Sequence, residues 1–320
     1  MDARVFFSLA WKSKSRLHQK PLRTVLLCTL ILAFVLSVSA QDLEPRSYSP
    51  SPVGATFLLL GFDRSTGDVG TDASSPIANV HAHINIPIVG LGHTFGLLGR
   101  QALVTAALPY AWGEVTGQVG EQQGRITRSG LADVRSKLSV NLYGSPARTP
   151  AEFARANTRT VIIGTSLTVL VPTGQYNPAK LVNLGTNRWA FKPEIGISYP
   201  VKNLNFDLYG GVVLFRENSQ FFPGTNTRSQ DPLETLQAHI SYTVRPHLWV
   251  ALDGTWYAGG STHLNSGPAL NRLNNTRAGG TISLPLIKNQ SLKVTYAAGT
   301  SARAGANFNS LTVFWQVLWF

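Results

Sequence analysis

The sequence predicts an all-β chain, an antiparallel transmembrane β-barrel of about 12 strands of the outer-membrane type. Three observations predict it. Segments that alternate apolar and polar residues recur throughout 53–320, the signature of half-buried strands. Long polar links alternate with short turns along most of that length, as in a barrel with long outer loops and short periplasmic turns. The closing stretch Phe308–Phe320 is rich in β-branched and aromatic residues and lacks Gly and Pro. It puts Leu311, Val313, Trp315, Val317 and Trp319 on one face and Ser310, Thr312, Phe314, Gln316 and Leu318 on the other. An open edge this apolar invites aggregation in water, whereas a closed barrel in lipid has no edge and an apolar exterior.

Residues 1–40 read as a signal peptide. Arg4, Lys12, Lys14, Arg16, Lys20 and Arg23 form a basic region. Val25–Val38 is an apolar core shorter than a convincing span, and Val38-Ser39-Ala40 places cleavage before Gln41. The one cysteine, Cys28, lies inside this segment, so the mature chain has no thiol for a disulfide, a metal or a nucleophile. The whole chain carries +12 from 28 basic and 16 acidic residues; without 1–40, 22 basic and 15 acidic residues leave +7. No basic run stands out in the mature part, so nucleic acid is not expected as a partner. Charged residues are few, at 14%, and aromatics are frequent, at 10%, which suits strands in lipid.

Residues 41–52 (QDLEPRSYSPSP) are polar and Pro-rich and read as an extended N-terminal leader. The barrel is expected over 53–320. Its strands are expected near Val53–Phe62, Ile77–Ile88, Gly99–Trp112, Leu131–Tyr143, Thr160–Val171, Arg188–Tyr199, Leu204–Arg216, Leu233–Val244, His247–Ala258, Arg277–Leu286, Ser291–Gly299 and Phe308–Phe320. In the second, Val80, Ala82, Ile84 and Ile86 interleave with Asn79, His81, His83 and Asn85. In the eighth, Leu236, Ala238, Ile240 and Tyr242 face away from Gln237, His239, Ser241 and Thr243. Two links break the long–short rhythm. Val89–Leu98 is apolar, and Gly144–Arg159 contains a capped short helix opening at Thr149-Pro150. Aromatics near strand ends, among them Tyr110, Trp112, Tyr143, Trp189, Phe191, Tyr199, Trp256 and Trp315, suit girdles at the two membrane interfaces.

No motif for acyl transfer, zinc proteolysis or phosphate binding is present, and no enzyme activity or cofactor is expected. His81 and His83 share a strand face at a spacing that can hold a metal, but no third ligand accompanies them, so no metal site is expected. His239 and Ser241 share a face read as inward, whereas an outer-membrane lipid-modifying enzyme needs its Ser–His pair outside. The polar faces give the expected lumen lining: Asn79, His81, His83, Asn85, Asp133, Arg135, Lys137, Arg188, Lys192, Glu194, His239, Arg245, Asp253 and Lys293. Charges on the lipid face cost a few kcal/mol near the midplane, whereas in a lumen they tune selectivity.

Several stretches resemble one family. They are Tyr48-Ser49-Pro50-Ser51-Pro52-Val53-Gly54 followed by Phe57-Leu58-Leu59-Leu60-Gly61, then Gly130-Leu131-Ala132-Asp133 with Arg135, and Asn183-Leu184-Gly185-Thr186-Asn187-Arg188-Trp189. Gln230-Asp231-Pro232, Arg245-Pro246 and the Trp319-Phe320 end also match. The chain is similar to the outer-membrane proteins grouped under the meta-pathway of phenol degradation, often called transporters. The resemblance implies a bacterial outer-membrane location and passive uptake of small aromatic or hydrophobic solutes. It also implies lipid contact and folding by the barrel-assembly machinery, which reads the strand ending at Phe320. Two alternatives stay open: a plugged structural or surface-interaction barrel, and an outer-membrane enzyme. A barrel of this size is narrow, which favours a selective conduit or a plug over a general porin.

Overall fold

The computed structural model describes residues 43–70, 77–119, 121–180 and 182–320. The expected signal peptide lies outside the described residues. In chain order the elements are β1 (Thr56–Gly70), β2 (Ile77–Leu97), β3 (Arg100–Val119), β4 (Gln122–Leu131), β5 (Val134–Tyr143), helix α1 (Pro150–Arg155), β6 (Ile162–Val171), β7 (Ala190–Val201) and β8 (Leu204–Phe215). They continue with β9 (Asn218–Phe221), β10 (Asn226–Gln230), β11 (Leu233–Arg245), β12 (Leu248–Gly259), β13 (Thr262–Leu264), β14 (Leu273–Pro285), β15 (Gln290–Ser301) and β16 (Gly305–Trp319).

Twelve antiparallel staves close on themselves, because β1 pairs with β2 on one side and with β16 on the other. The closing seam runs from Thr56 opposite Trp319 to Gly70 opposite Gly305. β4 and β5 pair end to end with β3 and together make one stave, broken at Ala132-Asp133. β9, β10 and β13 form a separate three-stranded sheet from the links after β8 and β12. At the periplasmic end the turns are short, as at Leu98-Gly99, Lys202-Asn203 and Pro246-His247. Helix α1 lies at that end, with a capping box in which Thr149 and Glu152 exchange hydrogen bonds. The Glu152 carboxyl is held below its ordinary range by the Thr149 backbone N–H and hydroxyl.

The wall has the burial pattern of a membrane barrel. In β12, Leu252 is 71% exposed, between Ala251 at 6% and Asp253 at 5%. The apolar residue faces out and the carboxylate faces in, the reverse of a water-soluble sheet. Leu108, Leu138, Leu167, Ile197, Leu208 and Ile240 repeat the outward pattern around the barrel. No helix among the described residues is long and apolar enough to cross a membrane; the strands make the crossing. Phe62, Tyr110 and Trp112 lie together on the outside of β1 and β3, the ring centres 6.1 and 6.4 Å from that of Trp112. Such clusters mark the outer membrane interface.

Above that girdle the strands continue into water. β1 and β2 run to Gly70 and back from Ile77, and β3 and β4 form a long hairpin where the sequence suggests a loop over Gly113–Gly130. The apolar stretch Val89–Leu98, expected as a link, is instead the lower part of β2. Leu170 and the partly buried Leu273 pack beneath the outer loops against Ala190, Val213, Leu233 and Tyr257.

Candidate functional site in the barrel lumen

The lumen is crossed by the leader. From β1 the chain turns back at the periplasmic rim, where the Gly54 N–H donates to the Thr94 carbonyl and the Ser51 N–H donates to Gln101 Oε1, both at 2.8 Å. It then enters the barrel. Tyr48 is 1% exposed. Its hydroxyl donates to Glu194 Oε1 at 3.1 Å and lies 3.1 Å from the Ser166 hydroxyl. Its carbonyl accepts from Asn141 Nδ2. The ring needs Gly164 and Gly196 beneath it: a Cβ at either would come within 2.2 or 2.5 Å of ring carbons. The ring also meets Tyr209 edge-on, with centres 5.2 Å apart.

Arg46 reaches the far wall. Its Nε donates to Ser241 Oγ at 2.8 Å and its Nη2 to Thr243 Oγ1 at 2.7 Å, while its backbone N–H donates to Asp207 Oδ2. The guanidinium lies 4.8 Å from the centre of the Trp249 ring. Glu44 lies between Lys137 Nζ, 2.5 Å away, and Arg135, 3.5 Å away. Leu43 lies against Gly279 on β14, where a Cβ would meet its side chain. The leader is thus a crossbar from β5–β7 over to β8, β11 and β14.

The expected lumen residues divide into three groups. Arg135, Lys137, Lys192, Glu194, His239, Asp253 and Lys293 point inward. Lys192 bonds Glu194 at 2.8 Å, His239 Nδ1 bonds Asp253 Oδ1 at 2.7 Å, and Lys293 lies over Phe314. Asp133 and Arg188 are buried nearer the outer end. Asp133 accepts from the Gly174 N–H, the Thr186 N–H and the Thr186 hydroxyl, and so staples the outer link 172–189 to the wall. Arg188 bonds Gln230 and lies 4.4 Å from the centre of the Phe215 ring.

The remaining five are corrected. Asn79, His81, His83 and Asn85 face outward, in the row that continues through exposed Val89 and Leu91. Asn79 donates to Gln118, His81 bonds Asp68 at 2.7 Å, and Thr66 lies 2.7 Å from His83. The residues that alternate with them, Val80, Ala82, Ile84 and Ile86, lie on the opposite face, turned inward into an apolar cluster with Val69 and Phe308. Above the bilayer the outer face meets water, so the polar half of the alternation points out and the apolar half packs inside. Arg245 is exposed at the β11–β12 turn, where the register slips between Thr243 and Arg245 and carries the side chain off the lumen wall.

The leader contacts were not readable from the sequence, because Glu44, Arg46 and Tyr48 lie in a Pro-rich segment with no periodicity. Their only local signal is a charged or aromatic side chain at every second position. Chemically, His239 Nδ1 bonds Asp253, but no hydrogen bond joins His239 Nε2 to Ser241, whose hydroxyl accepts from Arg46 Nε. Among the described residues no group of three or more His, Cys, Asp or Glu could hold a metal ion.

The inside of the barrel therefore holds packed apolar clusters toward its outer end, with the buried Asp133 and Arg188 also there, and is charged where the leader crosses. The structure resembles an outer membrane channel from Pseudomonas putida F1, with a TM-score of 0.73 and 22% identity over 87% of this chain and 100% of that one. It also resembles the β domain of the Bordetella autotransporter BrkA, with a TM-score of 0.50 and 13% identity over 82% of this chain and 98% of that one. These likenesses establish the fold, a twelve-stranded barrel of the bacterial outer-membrane type. No curated protein matches the chain. Over residues 64–315, which span nearly all the staves, the sequence matches the family described as "Putative MetA-pathway of phenol degradation", and the chain belongs to that family.

Proposed function

We propose that this barrel is a passive, selective conduit of the bacterial outer membrane for small solutes with apolar or aromatic parts. The single observation that carries the reading is the order of environments down the lumen. Packed inward apolar clusters of Val80, Ile84, Ile86 and Phe308 on one side and Val213 and Leu233 on the other lie outward of a crossbar held by Glu44, Arg46 and Tyr48. An apolar solute gains by leaving water for the first zone, on the order of 25 cal/mol per Å² of apolar surface buried. A hydrated ion meets the fixed charges of Glu44, Arg46, Arg135 and Lys137. The family's description in terms of phenol degradation supports an aromatic solute, and the likeness to a solved outer membrane channel supports passage without chemistry.

Membrane lipid against the apolar exterior, and folding by the barrel-assembly machinery through the apolar outer row of β16, complete the reading. The rival is a plugged barrel with a structural or surface role. The leader's bonds to β5, β6, β7, β8 and β11 favour it.

The test is uptake by liposomes containing the refolded mature chain, comparing phenol or toluate with a sugar of similar size. Protein-dependent uptake of the aromatic alone supports the conduit. Uptake of neither, with or without residues 41–52, leaves the plugged barrel standing.

A further inference from the structure

The periplasmic rim carries cations with little counter-charge. Arg100 follows the β2–β3 turn, Arg155 ends helix α1, Arg159 lies just beyond it, and Lys202, Arg245 and Lys288 sit at the β7–β8, β11–β12 and β14–β15 turns; all are exposed. Among the described residues of these links the one carboxylate side chain is Glu152, and it is taken up by the Thr149 N–H and hydroxyl. Elsewhere cations have acidic partners, as Arg125 has Glu114 and Arg135 has Glu44. None of the rim cations has one among the described residues. The outer end of the barrel mixes signs instead, with Asp68, Glu114, Glu217, Asp231 and Glu234 among its cations.

The turns that bear these charges are joined to one another. Arg159 Nη1 donates to the Lys202 carbonyl at 3.3 Å, which seats the α1 link on the β7–β8 turn. The Thr243 N–H donates to the Asn203 carbonyl at 2.8 Å, which seats that turn beside Arg245. Lys288 occupies the next turn round the rim. The result is a continuous arc of like charge. Charges held along one edge repel each other, and anions lying against them offset that repulsion.

The position of the arc selects the kind of anion. Tyr199 and Tyr242 stand exposed at the periplasmic ends of β7 and β11, as an inner girdle does. A strand rises about 3.3 Å per residue, so Lys202 follows Tyr199 within about 10 Å along the wall, at the level of lipid headgroups. Exposed apolar side chains adjoin the cations: Val201 and Leu204 flank Lys202, Val244 precedes Arg245, and Leu286 and Ile287 precede Lys288. A soluble polyanion would leave these apolar groups in water. A lipid covers them with its chains while its phosphate meets the cations above, and long basic side chains reach along the wall to meet it.

We propose that Arg159, Lys202, Arg245 and Lys288 bind the phosphate groups of anionic phospholipid in the inner leaflet of the outer membrane. The arc gathers a shell of such lipid around the periplasmic end of the barrel. The guanidinium forks of Arg159 and Arg245 match phosphate oxygens, and the two lysines act as point charges beside them. The inference is independent of what the lumen carries.

The experiment places the refolded mature chain in phosphatidylcholine bilayers. It measures by electron spin resonance how strongly spin-labelled phosphatidylglycerol associates with the barrel, relative to spin-labelled phosphatidylcholine. A basic residue at an anionic surface strengthens association several-fold, so a preference of about threefold or more for phosphatidylglycerol at low salt is expected, falling at high salt. The combined variant Lys202→Gln, Arg245→Gln and Lys288→Gln removes side chains that make no hydrogen bond among the described residues, so the barrel is expected to fold and to lose the preference. A control variant, Arg64→Gln, Lys180→Gln and Arg272→Gln, removes as much charge from the outer end and is expected to keep it. Equal association of the two lipids overturns the proposal. So does a preference that survives the rim variant, or one that the control variant abolishes equally, since net charge then acts in place of the rim. Capture of soluble polyglutamate by a rim with no lipid preference also overturns it, in favour of an acidic protein partner.

Discussion

The hydroxyl of Tyr48 donates to Glu194 Oε1 at 3.1 Å, and that bond ties the leader to the middle of a stave 146 positions away in sequence. Glu194 also accepts from Lys192, at 2.8 Å, and from Gln237. One buried carboxylate therefore gathers the leader, its own strand and β11.

Tyr48→Phe keeps the ring and removes the donor. A hydrogen bond to a charged group contributes roughly 1.5–3 kcal/mol. The leader should leave its seat about tenfold or more often, since 1.4 kcal/mol is a factor of about ten. Brief openings in single-channel records are the expected sign. Records indistinguishable from those of the native chain would show that the ring alone holds the leader.

Gly196→Ala attacks the same seat from the wall. The new methyl would lie 2.5 Å from the Tyr48 ring and 2.4 Å from that of Tyr209, where no side chain fits. Overpacking of this kind costs about 1–3 kcal/mol, and the cheapest relief is to expel the leader rather than open the ladder. The variant should still fold as a barrel that resists detergent, with conductance raised several-fold. A barrel that fails to fold would place the strain in the wall instead.

Lys137→Glu sets a carboxylate against Glu44, which now lies 2.5 Å from the lysine amine. Repulsion frees the leader's end and reverses the local charge of the wall. Reversal potentials under a salt gradient should move toward cation preference, and less strongly in Arg188→Glu, whose position is nearer the outer end. Unmoved potentials in both would separate these residues from the path of ions.

His81→Cys and His83→Cys should react in intact cells with a membrane-impermeant thiol reagent, because both side chains face outward above the girdle of Phe62, Tyr110 and Trp112. His239→Cys, buried beside Asp253, should resist it. Labelling confined to His239→Cys would reverse the assignment of faces.

The His263 imidazole, in the outer sheet of β9, β10 and β13, is held above its ordinary range by the Gly267 carbonyl and by Asp231, 3.2 Å away. A raised value means that the folded loop binds the proton more tightly than the unfolded one. The stabilisation is full below the ordinary histidine value of about 6.5 and is lost as pH rises through the higher folded value. Limited proteolysis of residues 260–272 should therefore be slower at about pH 5.5 than at about pH 8. Asp231→Asn should flatten the difference.

The barrel was legible in the sequence because its signal repeats. Twelve staves each alternate, and errors at their ends do not accumulate. The faces of β2 were not legible. Val80-His81-Ala82-His83-Ile84 defines two faces but not which one meets lipid, water or lumen, and the answer inverts where the strand leaves the bilayer. Asp253 and His239 lie low enough in the wall for the simple rule, charge inward, to hold; His81 and His83 lie too high. The leader was invisible for a different reason. Arg46 has meaning only through Asp207, Ser241, Thr243 and Trp249, which lie far along the chain.

The leader joins β1 at Ala55 and so is a ligand that shares a covalent chain with its receptor. Its return to the lumen after each excursion is a unimolecular event whose speed does not depend on how much protein the membrane holds. A short tether of this kind gives an effective concentration on the order of millimolar. A free peptide of the same sequence would have to reach that concentration in the periplasm before it displaced the native segment, so occupancy of the lumen is set within each molecule and is insensitive to crowding by its neighbours.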